Sequence, residues 1–225
     1  ILTYRRKFAD VHSLTFTGVF GSQSYTNNNY WLSASNFPND ATTYDAVQLA
    51  ANRSVFSNRS RERLDSYLAR VNYGFRDKYF LDLTARADGS SKFGANNKYG
   101  FFPAIAAAWR VIEEPFLKDQ NFLSDLKLRA SYGITGNAGA IGPYGSLATV
   151  ANVDGLLNSS NYWINHTYQI GIRPSGIPNP DLRWERSTQA NLGVDLSVLN
   201  GRLNLTADVY DKRTDDLLFV KQLPI

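Results

Sequence analysis

The sequence predicts an all-β fold: an antiparallel, up-and-down segment of a transmembrane β-barrel. Three observations lead to this prediction. Apolar and polar residues alternate along several stretches of about ten residues, and about 9–11 residues is the length that a tilted strand needs to cross a bilayer. Away from the strand ends, charged side chains are confined to one parity of each stretch. Short and long connections alternate along the chain, as they do in a transmembrane barrel, where the short turns lie at one rim and the long loops at the other.

The clearest strand pair lies between Tyr79 and Arg110. Residues 79–88 carry Tyr, Leu or Ala at the odd positions, and residues 101–110 keep the odd positions apolar after a polar, glycine-containing break. Because successive side chains of a strand point to opposite faces, each stretch has one face that is apolar throughout. We therefore predict two strands joined by a loop.

Five further strands are predicted on either side of this pair. Residues 1–10 are typical of a strand end followed by a turn, and Asn200-Gly201 is the strongest short signal for a β-hairpin. Short helical segments are predicted over residues 42–52 and around Pro115. The alternation that marks the additional strands covers residues 12–21, 64–75, 126–135, 188–198 and 202–210.

The predicted connections fall into two classes of length. Residues 76–78 and 199–201 are tight turns, and residues 111–124 form a compact connection. Long polar connections are usually functional or disordered. We predict that the long extracellular loops cover residues 22–61, 89–99 and 136–181.

Charged residues predict which face of the sheet meets water. A cation that faces lipid at mid-depth costs about 2–4 kcal/mol, so the charged parity is expected to line a water-filled lumen. Asp82 and Asp88 share this parity with Arg86, which favours a neutralised network over an acid–base pair, and no catalytic residue is predicted. The predicted lumen-wall residues are Arg70, Asp82, Arg86, Asp88, Arg110, Lys127 and Arg129.

Composition excludes several other classes of protein. The 225 residues contain no cysteine and only two histidines, which lie far apart, so neither a disulfide framework nor a metal site is predicted. The net charge of +4 comes without a long basic run, which argues against nucleic-acid binding. No stretch approaches the ~18 consecutive apolar residues of a transmembrane helix. We predict neither enzymatic activity nor a cofactor.

A long contiguous signature points to a family. RADGSSKFGANNKYGFFPAIAAAWRVIEEPFLKD begins at Arg86, LSDLKLRASYGITGN at Leu123 and NPDLRWERS at Asn179. Together these segments resemble the outer-membrane transporters of the SusC/RagA type, which are TonB-dependent receptors. The resemblance is strongest over residues 66–137 and continues less sharply to Leu218, whereas the long loops carry little of it.

The resemblance implies a larger assembly. A barrel of this type has about 22 strands and an N-terminal plug, so residues 1–225 are expected to be an internal piece of the barrel domain, without the plug or the rest of the barrel. The implied function is TonB-dependent import of glycans or oligopeptides across the outer membrane. The implied partners are a SusD-like surface lipoprotein, the inner-membrane TonB energy-coupling complex and outer-membrane lipid. Two alternatives stay open: a siderophore-type receptor of the same architecture, and a soluble carbohydrate-binding β-sandwich.

Aromatic residues in the predicted loops are candidates for ligand binding. Their rings lie among Asn and Ser residues, and an aromatic face with amide and hydroxyl neighbours suits a sugar or a peptide. The alternative is that these rings pack the loops against one another. The candidates are Tyr25, Tyr30, Trp31, Tyr144, Tyr162 and Trp163.

Overall fold

The computed structural model describes residues 1–41, 43–117, 121–152, 162–169 and 171–219. Eight strands form one antiparallel sheet: β1 Leu2–Phe8, β2 His12–Ser35, β3 Asn52–Phe75, β4 Tyr79–Ser90, β5 Tyr99–Arg110, β6 Leu123–Asn137, β11 Glu185–Val198 and β12 Leu203–Asp215. Four short strands lie between β6 and β11 and form two small hairpin-like sheets: β7 Thr149–Asn152 with β10 Ile172–Gly176, and β8 Tyr162–Ile164 with β9 Thr167–Gln169.

Strand order in the large sheet follows the chain. The order is β1-β2-β3-β4-β5-β6-β11-β12, and every neighbouring pair is antiparallel. This is the up-and-down topology that the sequence predicts, so the predicted fold class is confirmed. The eight strands belong to one sheet rather than to two stacked sheets, so the β-sandwich alternative is wrong for the described residues.

Strand pairing places the two predicted parities on opposite faces. One row across the sheet joins Val71, Leu83, Ile105, Tyr132 and Ala190. We call the face with this row the outer face; Leu83, Ile105 and Tyr132 are 42%, 45% and 51% exposed there. A continuous exposed apolar surface of this kind is unusual in a soluble protein and typical of the lipid-facing side of a barrel. The neighbouring row lies on the opposite, inner face and contains Asn72, Asp82, Ala106, Ser131 and Asn191.

The loop predicted over residues 22–61 is wrong at both ends. Strand β2 continues to Ser35 and β3 begins at Asn52, and the two strands pair without a register shift from His12 opposite Phe75 to Ser35 opposite Asn52. A two-stranded ladder satisfies the backbone of these Ser- and Asn-rich segments regardless of their polar composition. The connection between them is therefore residues 36–51.

The other two predicted loops also differ from the prediction. Strand β4 extends to Ser90 and β5 starts at Tyr99, which leaves residues 91–98 as the connection. The segment predicted as a loop over 136–181 contains the four short strands β7–β10. The helix predicted over 42–52 is a 3-10 segment, Thr43–Leu49, with a kink at Ala46. In the described ranges, no helix has both the length and the apolar character needed to cross a bilayer.

Both predicted tight turns have the geometry that a β-hairpin favours. Arg76 and Asp77 have φ of 53° and 54°, and the amide of Lys78 donates to the carbonyl of Phe75 at 3.0 Å. Asn200 and Gly201 have φ of 55° and 82°. Positive φ at both central residues defines a type I′ turn, whose twist matches that of the flanking strands. These turns hold β3 to β4 and β11 to β12 in register.

Aromatic side chains form a row along the outer face at the rim of the short turns. Ring centroids are 5.0 Å apart for Phe8 and His12, 4.9 Å for His12 and Phe75, 6.2 Å for Phe75 and Tyr79, and 6.3 Å for Tyr79 and Trp109. The row crosses strands β1 to β5. Tyrosine and tryptophan, here Tyr79 and Trp109, are enriched at membrane–water interfaces, where an apolar body and a polar tip are both accommodated.

Glu114 fixes one end of this aromatic row. The Tyr79 hydroxyl donates to Oε1 of Glu114 at 2.6 Å, and the Trp109 indole donates to the same oxygen at 3.1 Å. Lys78 Nζ lies 3.5 Å from the other carboxylate oxygen. The Tyr79 hydrogen bond, followed by that of Trp109, lowers the pKa of Glu114 below its ordinary value. The carboxylate therefore stays ionised at neutral pH and orients both rings.

Candidate functional site

The inner face carries the charged residues that the sequence assigns to a lumen wall. Arg70 and Asp82 form an ion pair of 3.0 Å, and Arg86 pairs with Asp88 at 2.7 Å. The Asn72 side-chain amide also donates to Asp82. Asp82 and Asp88 therefore belong to separate ion pairs, each neutralised by an arginine.

A second group of charges ties three strands together on the inner face. Arg129 on β6 contacts Asp195 on β11 at 2.9 Å and Asp208 on β12 at 3.2 Å. Thr206 donates a further hydrogen bond to Asp195 at 3.2 Å. Hydrogen bonds between a guanidinium and two carboxylates fix its orientation, so this group positions the strands relative to one another.

The two remaining predicted lumen-wall residues occupy the rim of the short turns. Arg110 pairs with Glu113 at 3.1 Å and also donates to the carbonyl of Asp77. Lys127 lies opposite Arg110 on the neighbouring strand and opposite Asp195 on the other side. The seven predicted residues thus share one face of the sheet, but they form separate groups along it rather than one site.

Three buried aromatic residues hold the connections onto the inner face at the opposite rim. Phe93, Phe102 and Trp184 are 1%, 5% and 7% exposed, and ring centroids lie 4.6 Å apart for Phe93 and Trp184 and 5.5 Å apart for Phe102 and Trp184. The Trp184 indole donates to the carbonyl of Lys98 at 3.1 Å. We call these three residues the aromatic anchor. A Cβ at Gly136 would collide with the Phe102 ring, so only glycine fits there.

Sequence reasoning missed the aromatic anchor, although one signal was present. Phe102 is a large aromatic residue on the parity that otherwise carries small or charged side chains in β5. The sequence assigns Ile134 to the outer face, because it has the apolar parity of β6. This assignment is wrong, since Ile134 packs against the aromatic anchor on the inner face. Pairing between β5 and β6 ends at Ala104 and Gly133, so the strands are no longer held side by side at Ile134.

A pocket of about 590 Å³ lies on the inner face beside the aromatic anchor. One part of its wall is aromatic and contains Tyr25, Phe102 and Trp184. The other part is charged and contains Arg86, Asp88, Glu62 and Lys92, with Lys92 and Glu62 paired at 2.8 Å. Aromatic faces next to fixed charges can bind a polar ligand and orient it.

Asp88 is the most constrained charged residue in the pocket wall. Its side chain is 9% exposed, and one carboxylate oxygen pairs with Arg86. The other oxygen, Oδ1, is buried and has no hydrogen-bond partner. A buried acceptor without a partner is costly, and this oxygen is enclosed by the protein rather than exposed to the pocket. Within the described ranges, no group of three His, Asp or Glu side chains could hold a metal ion.

The six aromatic residues predicted to bind ligand do not form one site. Tyr25 lines the inner-face pocket, whereas Tyr30 and Trp31 are 81% and 67% exposed near the tip of the β2–β3 hairpin. The Tyr144 hydroxyl accepts a hydrogen bond from the amide of Arg61 at 3.0 Å. Tyr162 and Trp163 belong to strand β8, and their side chains lie outside the described part of the structure.

Comparison with known proteins identifies the family. A family model described as "TonB dependent receptor-like, beta-barrel" matches residues 2–224. TonB-dependent receptor P3 of Formosa agariphila is 38% identical over 224 residues, which are 99% of this chain and 22% of that protein. TonB-dependent receptor SusC of Bacteroides thetaiotaomicron is 39% identical over 197 residues, which are 87% of this chain and 18% of that protein.

A solved structure agrees with these sequence matches. The RagAB peptide importer in its "open-open" state superposes with a TM-score of 0.83 at 29% identity, over 99% of this chain and 23% of that chain. The chain thus spans about a fifth of the length of its relatives. The predicted resemblance to the SusC/RagA type is confirmed over the whole length of the chain. This protein belongs to the TonB-dependent receptor family and forms part of the β-barrel that defines it.

Proposed function

We propose that this chain forms part of the barrel wall of an outer-membrane, TonB-dependent importer of glycans or oligopeptides. The observation that carries the proposal is the division of one meandering sheet into an apolar outer face and a charged inner face. Lipid would cover the outer face, and the ligand would pass along the inner face. By likeness to SusC and to the RagAB importer, the partners are a SusD-like surface lipoprotein and the TonB energy-coupling complex.

The inner-face pocket is the proposed ligand contact in this part of the wall. Tyr25 offers an exposed ring face to apolar parts of a ligand. The charged side chains of Arg86, Glu62 and Lys92 in the pocket wall offer hydrogen bonds to its hydroxyl or charged groups. Sugars and peptides both combine such groups. Tyr30, Trp31, Tyr144, Tyr162 and Trp163 are proposed as contacts in the outer vestibule.

Deletion of the full-length gene in the native host tests the proposed transport function. The deletion strain should fail to grow on one class of oligosaccharide or oligopeptide, and a protonophore should block uptake of that oligomer in the wild type. A growth defect limited to iron starvation would instead favour the siderophore-type receptor. Normal growth under all of these conditions would contradict both functions.

Tyr25→Ala tests whether the pocket contacts the ligand. Loss of one ring contact should reduce uptake of the identified oligomer about threefold to tenfold, because an aromatic contact contributes about 0.5–1.5 kcal/mol beyond its buried area. Tyr99→Ala is the matched control, since Tyr99 is an exposed tyrosine with the outer-face parity of β5 and does not line the pocket. Equal uptake by the two variants would remove Tyr25 from the proposed contact.

A further inference from the structure

The connection between β4 and β5 is bonded to the end of the connection between β6 and β11. The backbone amide of Gly94 donates to the carbonyl of Leu182 at 3.1 Å. The side-chain amide of Asn97 donates to the main-chain carbonyl of Asp181 at 3.0 Å. Further bonds join the same two segments, and we call the residues that form them the clasp: Gly94, Asn96, Asn97, Pro180, Asp181 and Leu182.

The two segments of the clasp are in direct backbone contact. Gly94 is buried, and a Cβ at this position would overlap with the carbonyl of Pro180, so only glycine allows the approach. Asn96 donates twice, from its backbone to the carbonyl of Pro180 at 3.3 Å and from its side chain to Oδ1 of Asp181 at 2.8 Å. One connection therefore cannot shift relative to the other without the loss of several hydrogen bonds at once.

The clasp lies next to the inner-face pocket without lining it. Lys92 comes two residues before Gly94, Trp184 comes two residues after Leu182, and both Lys92 and Trp184 line the pocket. Trp184 is held by the aromatic anchor, and Lys92 reaches Glu62 on β3 at 2.8 Å. The clasp is thus the link between the connection that carries the charged part of the wall and the connection that carries the aromatic part.

We propose that Gly94 and Asn97 are positioning residues for the ligand pocket. Through the clasp they make the two connections move as one body, which keeps Lys92 in a fixed place relative to Trp184. A ligand that contacts both parts of the wall binds more tightly when those parts are arranged in advance. Neither Gly94 nor Asn97 lines the pocket, so both act through Lys92. The proposal rests on the ligand pocket proposed above.

Protease treatment of intact cells that carry the full-length receptor tests whether the two connections move together. Gly94→Ala displaces the Pro180 carbonyl, so cleavage should rise in parallel within residues 91–98 and within residues 177–184. The expected rise is about threefold to tenfold, the effect of one lost hydrogen bond on a local opening equilibrium. Gly142→Ala is the matched control and should be cleaved like the wild type, since a Cβ at Gly142 meets no atom within 4 Å.

Uptake kinetics of the oligomer identified by the gene deletion test whether the clasp acts through Lys92. Gly94→Ala should raise the half-saturation concentration about threefold to tenfold and change the maximal rate by less than about twofold, because the lost contact contributes to ligand binding. In a Lys92→Ala background, Gly94→Ala should change the half-saturation concentration by less than about twofold, since the side chain through which it acts is already absent.

Asn97→Asp provides the test if Gly94→Ala does not assemble into the outer membrane. Aspartate has the shape of asparagine, but its carboxylate cannot donate a hydrogen bond to the carbonyl of Asp181. This variant adds no atom to the tight contact at Gly94. It should raise the cleavage of both connections and the half-saturation concentration in the same direction as Gly94→Ala.

Three results would overturn the proposal. They are cleavage that rises within residues 91–98 alone, a half-saturation concentration that is unchanged in the clasp variants, and an effect of Gly94→Ala that is equally large with and without the Lys92 side chain. Normal uptake of every oligomer by the deletion strain would instead contradict the proposed function. The cleavage pattern would then decide by itself whether the two connections move as one body.

Discussion

Leu83→Arg in the full-length protein is expected to block assembly into the outer membrane, whereas Thr84→Arg is expected to assemble normally. Leu83 lies on the outer face between Val71 and Ile105, and an arginine there would face hydrocarbon at a cost of about 2–4 kcal/mol. Thr84 lies on the inner face opposite Arg70, where water solvates an additional charge.

Heat-modifiable migration of the outer-membrane fraction measures this difference directly, because a folded barrel migrates differently from the boiled protein. The two variants are matched controls for each other, since they introduce the same side chain at adjacent positions of one strand. Equal assembly of both variants would contradict the assignment of the two faces. Loss of assembly in Thr84→Arg alone would invert it.

Trp184→Ala is expected to release the connections at residues 91–98 and 138–184 from the inner face while the barrel stays folded. Trp184 packs against Phe93 and Phe102 and holds the carbonyl of Lys98. Truncation of a buried aromatic residue costs about 3–5 kcal/mol. The loss destabilises the packing of the connections against the sheet. The barrel itself stays folded, because the strands keep the backbone hydrogen bonds that pair them.

Protease treatment of intact cells that carry the full-length protein measures the release. Trp184→Ala should be cleaved within these connections at least tenfold faster than the wild type, with normal heat-modifiable migration. Trp31→Ala is the control, because this tryptophan is 67% exposed near the hairpin tip and should leave the cleavage rate unchanged. Equal cleavage of both variants would show that the aromatic anchor does not hold the connections.

The sequence was sufficient to predict the strands and their faces because a two-residue period is a local property. Strand β4, for example, shows its alternation without reference to any neighbour, and the type I′ turn at Asn200-Gly201 follows from two adjacent residues. The extent of β2 and β3 was underestimated for the same reason. Residues 22–35 and 52–61 show no sustained alternation of apolar and polar side chains. They are strands because the two segments pair with each other.

The inner-face site was predicted only in part, because its contacts join distant residues. The charges of Arg70 and Asp82 could be assigned to one face, but their pairing depends on the register between β3 and β4. Phe93 and Trp184 are far apart in the chain, and no local pattern brings their rings together. The unpartnered oxygen of Asp88 is likewise a property of packing, which composition does not reveal.

Spin labels placed one at a time at residues 81–86 of the full-length protein in lipid bilayers test the central claim most directly. Collision rates with oxygen, which concentrates in the hydrocarbon, should be highest at residues 81, 83 and 85 and lowest at residues 82, 84 and 86. The absence of cysteine from these 225 residues leaves each introduced thiol as the single labelling site within them. Oxygen maxima at the even positions, or no two-residue period, would contradict the division of the sheet into lipid-facing and lumen-facing sides.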